Sequence, residues 1–380
     1  MAIKSAFFDK ICVADMEKVH SAVIGWMFSD NCQALDKKQR SEILCELFGV
    51  KPFVEFETIR VDVELHDIDI LILTDEGTPN ATCWVIENKV KSSQHCNQLD
   101  KYVKIVNGDI VKMGRSEHTI TDYQNFNKHF CFLTLVGETS KCKEACWKNT
   151  TYKNLVDILN GISLSLNNDG VILSEYRQCI TNLSDALDDF LNNHQAYEDV
   201  FIDGGKKKWD KVNIKGNGCF VKYLSDNGLE TIFQKCFLSH INQQTNNWML
   251  YDFGISETHG KALIEYGLKK EKGMSYGIQF QNGAFKVQVL ESEAKSKIEI
   301  DAFWNHWNRV LNGLCLPVDW KLNHSKGRKV PYFSISKRIN GWYKKPVCEI
   351  VKDWDNMHDE CMCIFNHLIH SYNTLGTYKY

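Results

Sequence analysis

Residues 67–89 read DIDILILTDEGTPNATCWVIENK. Two apolar runs, 68–73 and 81–87, flank the segment 75–80, whose Asp, Gly, Pro and Asn are turn formers. Short apolar runs bounded by turn chemistry read as β-strands, so the stretch predicts a hairpin. Side chains alternate faces along a strand, which puts Glu87 and Lys89 on one face. Asn88 points away, but its main-chain carbonyl stays beside Glu87. Folding the first strand back about a centre near residue 78 sets Asp69 opposite Glu87. Directly opposed residues of an antiparallel pair have Cβ atoms roughly 5 Å apart.

Two carboxylates that close repel, and one must hold a proton unless a positive charge lies between them. A hard divalent cation, Mg²⁺ or Mn²⁺, meets that need with one or two carboxylates, carbonyl oxygens and water. Asp69, Glu87 and the carbonyl of Asn88 are the candidate metal ligands. A cation there lowers the pKa of bound water and neutralises charge on a phosphoryl group. Lys89 can orient or help deprotonate the attacking water. The expected chemistry is phosphodiester hydrolysis.

Outward from the hairpin, Met16, Val19, Val23, Trp26 and Met27 predict a helix over 15–28. Ile43, Leu44 and Leu47 predict another over 37–48. Residues 53–63 alternate as a strand, 94–106 follow helical spacing, 130–136 form an apolar and hence central strand, and 174–193 are helical. The order is helix, helix, three strands, helix, strand.

These residues resemble the signature of the PD-(D/E)XK nuclease superfamily. One branch shows an opening glutamate helix, here Glu17-Lys18-Val19-His20-Ser21, then Asp67-Ile68-Asp69, Ile86-Glu87-Asn88-Lys89 and Gln98-Leu99-Asp100-Lys101-Tyr102. The resemblance spans about 13–195. It implies an α/β restriction-endonuclease-like core, a mixed central sheet flanked by helices. It also implies that Glu17 joins the site and that Gln98 and Tyr102, four apart on one helical face, support it or touch phosphate. Asp67-Ile68-Asp69 stands where the name has proline, and a register slip of two would make Asp67 the ligand. The family's substrate is mainly DNA, with RNA in the minority, and its branch is bacterial or phage-associated, often in defence.

The chain has 380 residues, with 43% hydrophobic and 24% charged side chains. Such a composition excludes fibrous and disordered classes, and no apolar run is long enough for a membrane helix. The net charge of −3 hides a split: 1–200 carry 20 basic and 30 acidic groups, and 201–380 carry 25 and 18. Asymmetry of this kind points to a nucleic-acid partner. The expected organisation is a nuclease domain over 1–200, a linker over 201–213 containing Gly204-Gly205-Lys206-Lys207-Lys208, and a C-terminal α+β domain over 214–380. The 15 cysteines, without a secretion signal, are read as reduced thiols of a cytoplasmic protein. Neither Cys142 and Cys146 nor His358, Cys361, Cys363, His367 and His370 match a zinc spacing. His20, His66, His95 and His118 are read as surface or structural residues.

In the second half, 248–254, 262–270, 274–281, 284–290 and 330–335 read as strands, and 299–311 and 351–372 as helices. The stretch 321–345 holds eight cations and no acid, interleaved with Tyr332, Phe333, Trp342 and Tyr343. Lys326, Arg328, Lys329, Lys337, Arg338, Lys344 and Lys345 are candidates for phosphate contact and Trp342 for base stacking. The alternatives are a solvated basic loop and a face that docks on the acidic half. Two further readings stay open: a non-catalytic nucleotide-binding or partner-binding module on a nuclease-like scaffold, and a nuclease activated by a small nucleotide or protein at the C-terminal half. Paired cuts in a duplex need two sites, which favours a homodimer.

Overall fold

The strand leading into the 67–89 hairpin joins it through a tight turn. His66 and Asp67 both take positive φ (54° and 63°) between Leu65 and Ile68, which pair across the strands. That is the backbone twist a two-residue hairpin loop demands. The computed structural model describes residues 6–94, 97–113, 116–201, 229–248, 253–258, 261–271, 274–291, 296–324 and 331–375. Strands β1 (Ile59–Leu65), β2 (Ile68–Thr74) and β3 (Thr82–Lys89) form an antiparallel meander. β2 and β3 pair as Ile70↔Ile86, Leu71↔Val85 and Ile72↔Trp84, a register centred on residue 78. These pairs share the centre that the sequence predicts, and continuing them by one residue sets Asp69 opposite Glu87.

Past two short strands, β4 (Val111–Met113) and β5 (Ser116–His118), β6 (Asn127–Thr134) pairs parallel to β3. β7 (Lys148–Thr151) pairs parallel to β6, giving the mixed order β1-β2-β3-β6-β7. β6 is internal, as its apolar run predicts. Strands begin and end a few residues away from the sequence-predicted bounds. Residues 53–58 precede β1 rather than belong to it, because Glu57 and Thr58 give their N–H groups to the Asp75 side chain at 2.7 and 3.2 Å.

Helices cover both faces of this sheet. α1 (Phe7–Lys10) leads into α2 (Glu17–Phe28), and α3 (Lys37–Phe48) follows. Asp36 caps α3 with a reciprocal bond to Gln39, and Gly49 closes it in the left-handed conformation (φ 68°). α4 (Gln98–Val106) lies on the opposite face. Leu71, Leu73, Cys83 and Val85 from the odd positions of β2 and β3, with Phe130 and Phe132 from the even positions of β6, pack there with Leu99, Tyr102 and Val106. Asp69, Glu87 and Lys89 are odd positions too. They share the α4 face, while Ile70, Ile86 and Asn88 face α2. α5 (Tyr152–Asn160) and α6 (Asn168–Asn193) complete the layer. α6 begins six residues earlier than the predicted 174.

The described residues fall into two compact units, 6–192 with 229–232, and 193–201 with the remainder from 233. The expected connector at 201–213 lies outside the described residues beyond Phe201. The second unit contains α7 (Glu230–Gln244), a helix with no sequence expectation, and a six-stranded antiparallel sheet. Its strands are β8 (Phe253–Thr258), β9 (Lys261–Glu271), β10 (Met274–Gln281), β11 (Ala284–Glu291), β12 (Lys321–His324) and β13 (Tyr332–Arg338). They lie in the order β12-β13-β11-β10-β9-β8. α8 (Lys297–Asn312) and α9 (Val347–Leu375) carry the tryptophans of its core: Trp307 meets Phe333 and Trp354 meets Phe280 and Phe285. The expected strand over 248–254 is displaced. Trp248 is buried ahead of β8, its indole N–H donating to the Trp354 carbonyl at 2.7 Å. Among the described residues no helix is long and apolar enough to cross a membrane.

Candidate active site

The C-terminal end of β3 gathers the predicted chemistry. Glu87 is fully buried, Lys89 nearly so, and their charged ends meet at 2.5 Å. Asp69 sits across the hairpin, its Oδ2 accepting the Asn88 backbone N–H at 2.7 Å. Neither carboxylate oxygen of Glu87 makes a hydrogen bond of normal geometry. Burial pushes the Glu87 carboxyl well above the usual carboxylate range, and the charge on Asp69 adds to this against the pull of Lys89. Burial also raises Asp69, with Lys89 opposing. Burial alone would lower Lys89, but Glu87 and Asp69 together hold its ammonium above the ordinary lysine value. Two buried carboxylates facing one ammonium leave a net negative charge that a proton or a cation must offset.

Among the described residues, no three His, Cys, Asp or Glu side chains converge as a ligand cluster. Asp69 and Glu87 instead form an all-oxygen pair, the donor type and number that suit Mg²⁺ or Mn²⁺ rather than zinc. Two buried carboxylates with a single ammonium between them fit a cation at this position. The alternative ligand Asp67 has a side chain 61% exposed and 3.7 Å from His118 Nε2, in the hairpin turn. Continued by one residue, the Ile70↔Ile86 register sets Asp69, not Asp67, opposite Glu87.

Glu17 reaches the site from the start of α2 by a clasp. Its Oε1 accepts the backbone N–H groups of Val90, Lys91 and Ser92 at 3.2, 2.9 and 2.6 Å, and its Oε2 accepts the Ser92 hydroxyl at 2.9 Å. Burial would raise its pKa, yet these donors and Lys89, 3.9 Å away, hold it below the ordinary value. Glu17 thus fixes the chain just beyond Lys89. Gln98 and Tyr102 do not face open solvent together. Gln98 Nε2 donates to the Tyr102 hydroxyl, which donates in turn to the Asp67 carbonyl, both at 2.6 Å. Tyr102 is buried completely, so it struts α4 against the turn that precedes Asp69.

The side chain of Asn88 has a task that sequence reasoning missed. On the α2 face its Nδ2 donates to the Glu17 carbonyl at 3.3 Å and to Ser21 Oγ at 3.1 Å, and its Oδ1 accepts from Tyr152 at 2.7 Å. Tyr176 and His20 lie behind, joined at 3.0 Å, and His20 contacts the Ala14 carbonyl at 3.0 Å. Tyr152 and Tyr176 belong to α5 and α6, more than sixty residues along the chain, so no local spacing marks them. His20 is structural, as its sequence reading holds.

The basic stretch of the second unit is divided by the fold. Lys337 binds both oxygens of Glu360 at 3.0 and 2.8 Å, and Lys345 binds Asp353 at 2.5 Å. Trp342 is buried against Phe280, Phe237 and Trp354, so its ring is committed to the core and not open to a base. Arg338 and Lys344 are exposed. Lys326, Arg328 and Lys329 lie outside the described residues.

No curated protein and no solved structure matches the chain. A family model described as the PD-(D/E)XK nuclease superfamily matches residues 6–192. That span contains the mixed sheet, its flanking helices and the cluster of Asp69, Glu87 and Lys89. Through residues 6–192 the chain belongs to the PD-(D/E)XK nuclease superfamily.

Proposed function

We propose that this protein is a metal-dependent nuclease that hydrolyses phosphodiester bonds, with DNA as the preferred substrate. The observation that carries the reading is the buried trio of Asp69, Glu87 and Lys89, in which two carboxylates share one ammonium. Asp69, Glu87 and the Asn88 carbonyl would hold Mg²⁺ or Mn²⁺. Bound there, the cation supplies charge neutralisation and a more acidic water.

The chain's own residues do the rest. Lys89 keeps its proton and directs it at the phosphate oxygens or the attacking water, where developing negative charge is stabilised. Glu17 holds the backbone of 90–92, so the ammonium is presented from a fixed strand end. Tyr102 and Gln98 hold the turn before Asp69, and Asn88 locks β3 to α2 and α5. Such preorganisation limits reorganisation during reaction.

The test is incubation of the full chain with plasmid DNA, single-stranded DNA and RNA, with Mg²⁺ or Mn²⁺ and with chelator. Cleavage requiring the metal and falling by at least about 10²-fold in Lys89→Met is the expected result. Cleavage undiminished in Lys89→Met would refute the assignment of the site.

A further inference from the structure

The six-stranded sheet of the second unit has two unlike faces, and the register shows them row by row. On one face Phe280 pairs with Phe285, Ile278 with Val287 and Ile335, and Val289 with Phe333. These rows pack against Trp307, Trp342 and Trp354. On the other face Gln279, Lys286, Ser336 and Lys321 stand directly opposite one another across four strands. The next row sets Gln281 beside Ala284 and Arg338, and the row on the other side sets Gln288 beside Ser334 and Asn323.

This polar face is a depression of about 1150 Å³ lined by Gln279, Lys286, Lys321, Asn323, Tyr332 and Arg338 among others. Ser334 and Gln288 on its floor are only 4% and 9% exposed. Its side chains are already oriented. Asn323 Nδ2 donates to Ser336 Oγ at 2.8 Å and Lys286 Nζ to Gln281 Oε1 at 3.2 Å. Gln279 Nε2 donates to Glu265 Oε1 at 2.7 Å, which engages the one carboxylate on that row. Asp319 is the acid in the lining, against four cations, Lys286, Lys321, Lys337 and Arg338, of which Lys337 is engaged by Glu360.

We infer that this face binds a single strand of nucleic acid. Lys286 and Lys321 are two strands apart, roughly 10 Å, and Arg338 lies one row along, roughly 7 Å. Cations at such intervals follow a phosphate backbone. The carboxamides of Gln279, Gln281 and Asn323 offer paired donors and acceptors to base edges, and Tyr332 adds an aromatic face. The strand must be unpaired. The row of Gln279, Lys286, Ser336 and Lys321 crosses four strands, about 14 Å, broader than the roughly 12 Å major groove of a duplex, so these side chains meet base edges only where bases are free. The surface is distinct from the linear 321–345 stretch, since it recruits Gln279 and Lys286, leaves out Trp342 and Lys345, and has Lys337 already engaged by Glu360. It rests on the nuclease reading only in identifying the bound strand as substrate.

The test is fluorescence anisotropy of the full chain, in chelator, with a labelled mixed-sequence DNA strand. The triple variant Lys286→Ala/Lys321→Ala/Arg338→Ala is expected to bind at least about tenfold more weakly. Its dependence of log K on log salt should be shallower by about 2, from three lost phosphate contacts at about 0.7 each. Lys286→Arg/Lys321→Arg should restore binding, and circular dichroism should show each variant folded. Equal binding by the triple variant, no binding of the single strand by the wild type, or equal binding of the matching duplex would each overturn the inference. If binding follows the expected pattern but no substrate is cut with metal, the inference stands and the nuclease reading fails. If the triple variant binds and cuts as the wild type does, the reverse holds.

Discussion

At the residue scale, Glu87 and Lys89 are coupled by burial. A carboxylate fully removed from water is stable only with a close counter-charge, and Lys89 supplies one charge for two acids. Excess Mg²⁺ should therefore raise the melting temperature of the wild type by a few degrees through binding linkage. Asp69→Asn should abolish the shift while remaining folded. An equal shift in Asp69→Asn, by differential scanning fluorimetry, would place the cation elsewhere. His20 gives a pH prediction. Burial, against the Ala14 carbonyl and the charges of Glu17 and Asp15, lowers its pKa from 6.5 to about 4. The unfolded chain takes up a proton below pH 6.5, but the folded chain does not until about pH 4. Stability is thus complete above pH 6.5 and lost as pH falls through that window, by about 3 kcal/mol from this group. Urea unfolding of wild type and His20→Gln should show a shallower acid slope in the variant; parallel slopes would exclude the effect.

At the element scale, the site depends on how closely α2 approaches the sheet. A Cβ at Gly25 would lie 2.5 Å from Val63 Cγ2 and 3.9 Å from Ile70 Cγ2. Glycine lets the helix sit low enough for Ser21 and the Glu17 carbonyl to reach Asn88. Gly25→Leu should lift α2 and cost about 1–3 kcal/mol in chemical denaturation, with cleavage falling further than stability alone explains because the Glu17 clasp shifts. Unchanged stability in Gly25→Leu would show that Val63, itself 38% exposed, simply swings away. The hairpin is the element most fully written in local sequence. His66-Asp67 and 75–81 are turns, and period-2 alternation then assigns faces without further information. α7 and β12 carried no comparable signal: Lys321–His324 is four mainly polar residues whose strand character comes from pairing with β13.

At the scale of the whole molecule, the two halves differ in charge, and no disulfide joins the described cysteines. Cys32, Cys83, Cys131, Cys179 and Cys361 serve as buried filler, while Cys12, Cys146, Cys315, Cys348 and Cys363 are exposed. Dithiothreitol should leave the melting temperature within about 1 °C. A large fall on reduction would reveal a cross-link that these cysteines do not make. The first unit covers both faces of its sheet with helices, and the second packs helices on one face. The first leaves its site at the end of β3 on the α4 face, and the second leaves an open polar face.

The sequence by itself determined the hairpin, its register and the meeting of Asp69, Glu87 and Lys89, because strand alternation and turn chemistry act over a few residues. It also marked α2, α3 and α4 through helical periodicity. Only the tertiary structure decided what each polar group spends its bonds on. Glu17 is turned into a clasp, Tyr102 into a strut and Asn88 into a tie to Tyr152, and Trp342, Lys337 and Lys345 are withdrawn from a basic stretch that looks continuous in sequence. Those outcomes depend on desolvation and on partners distant in the chain. A buried donor or acceptor must find a partner wherever the fold brings one, and no local pattern records where that is.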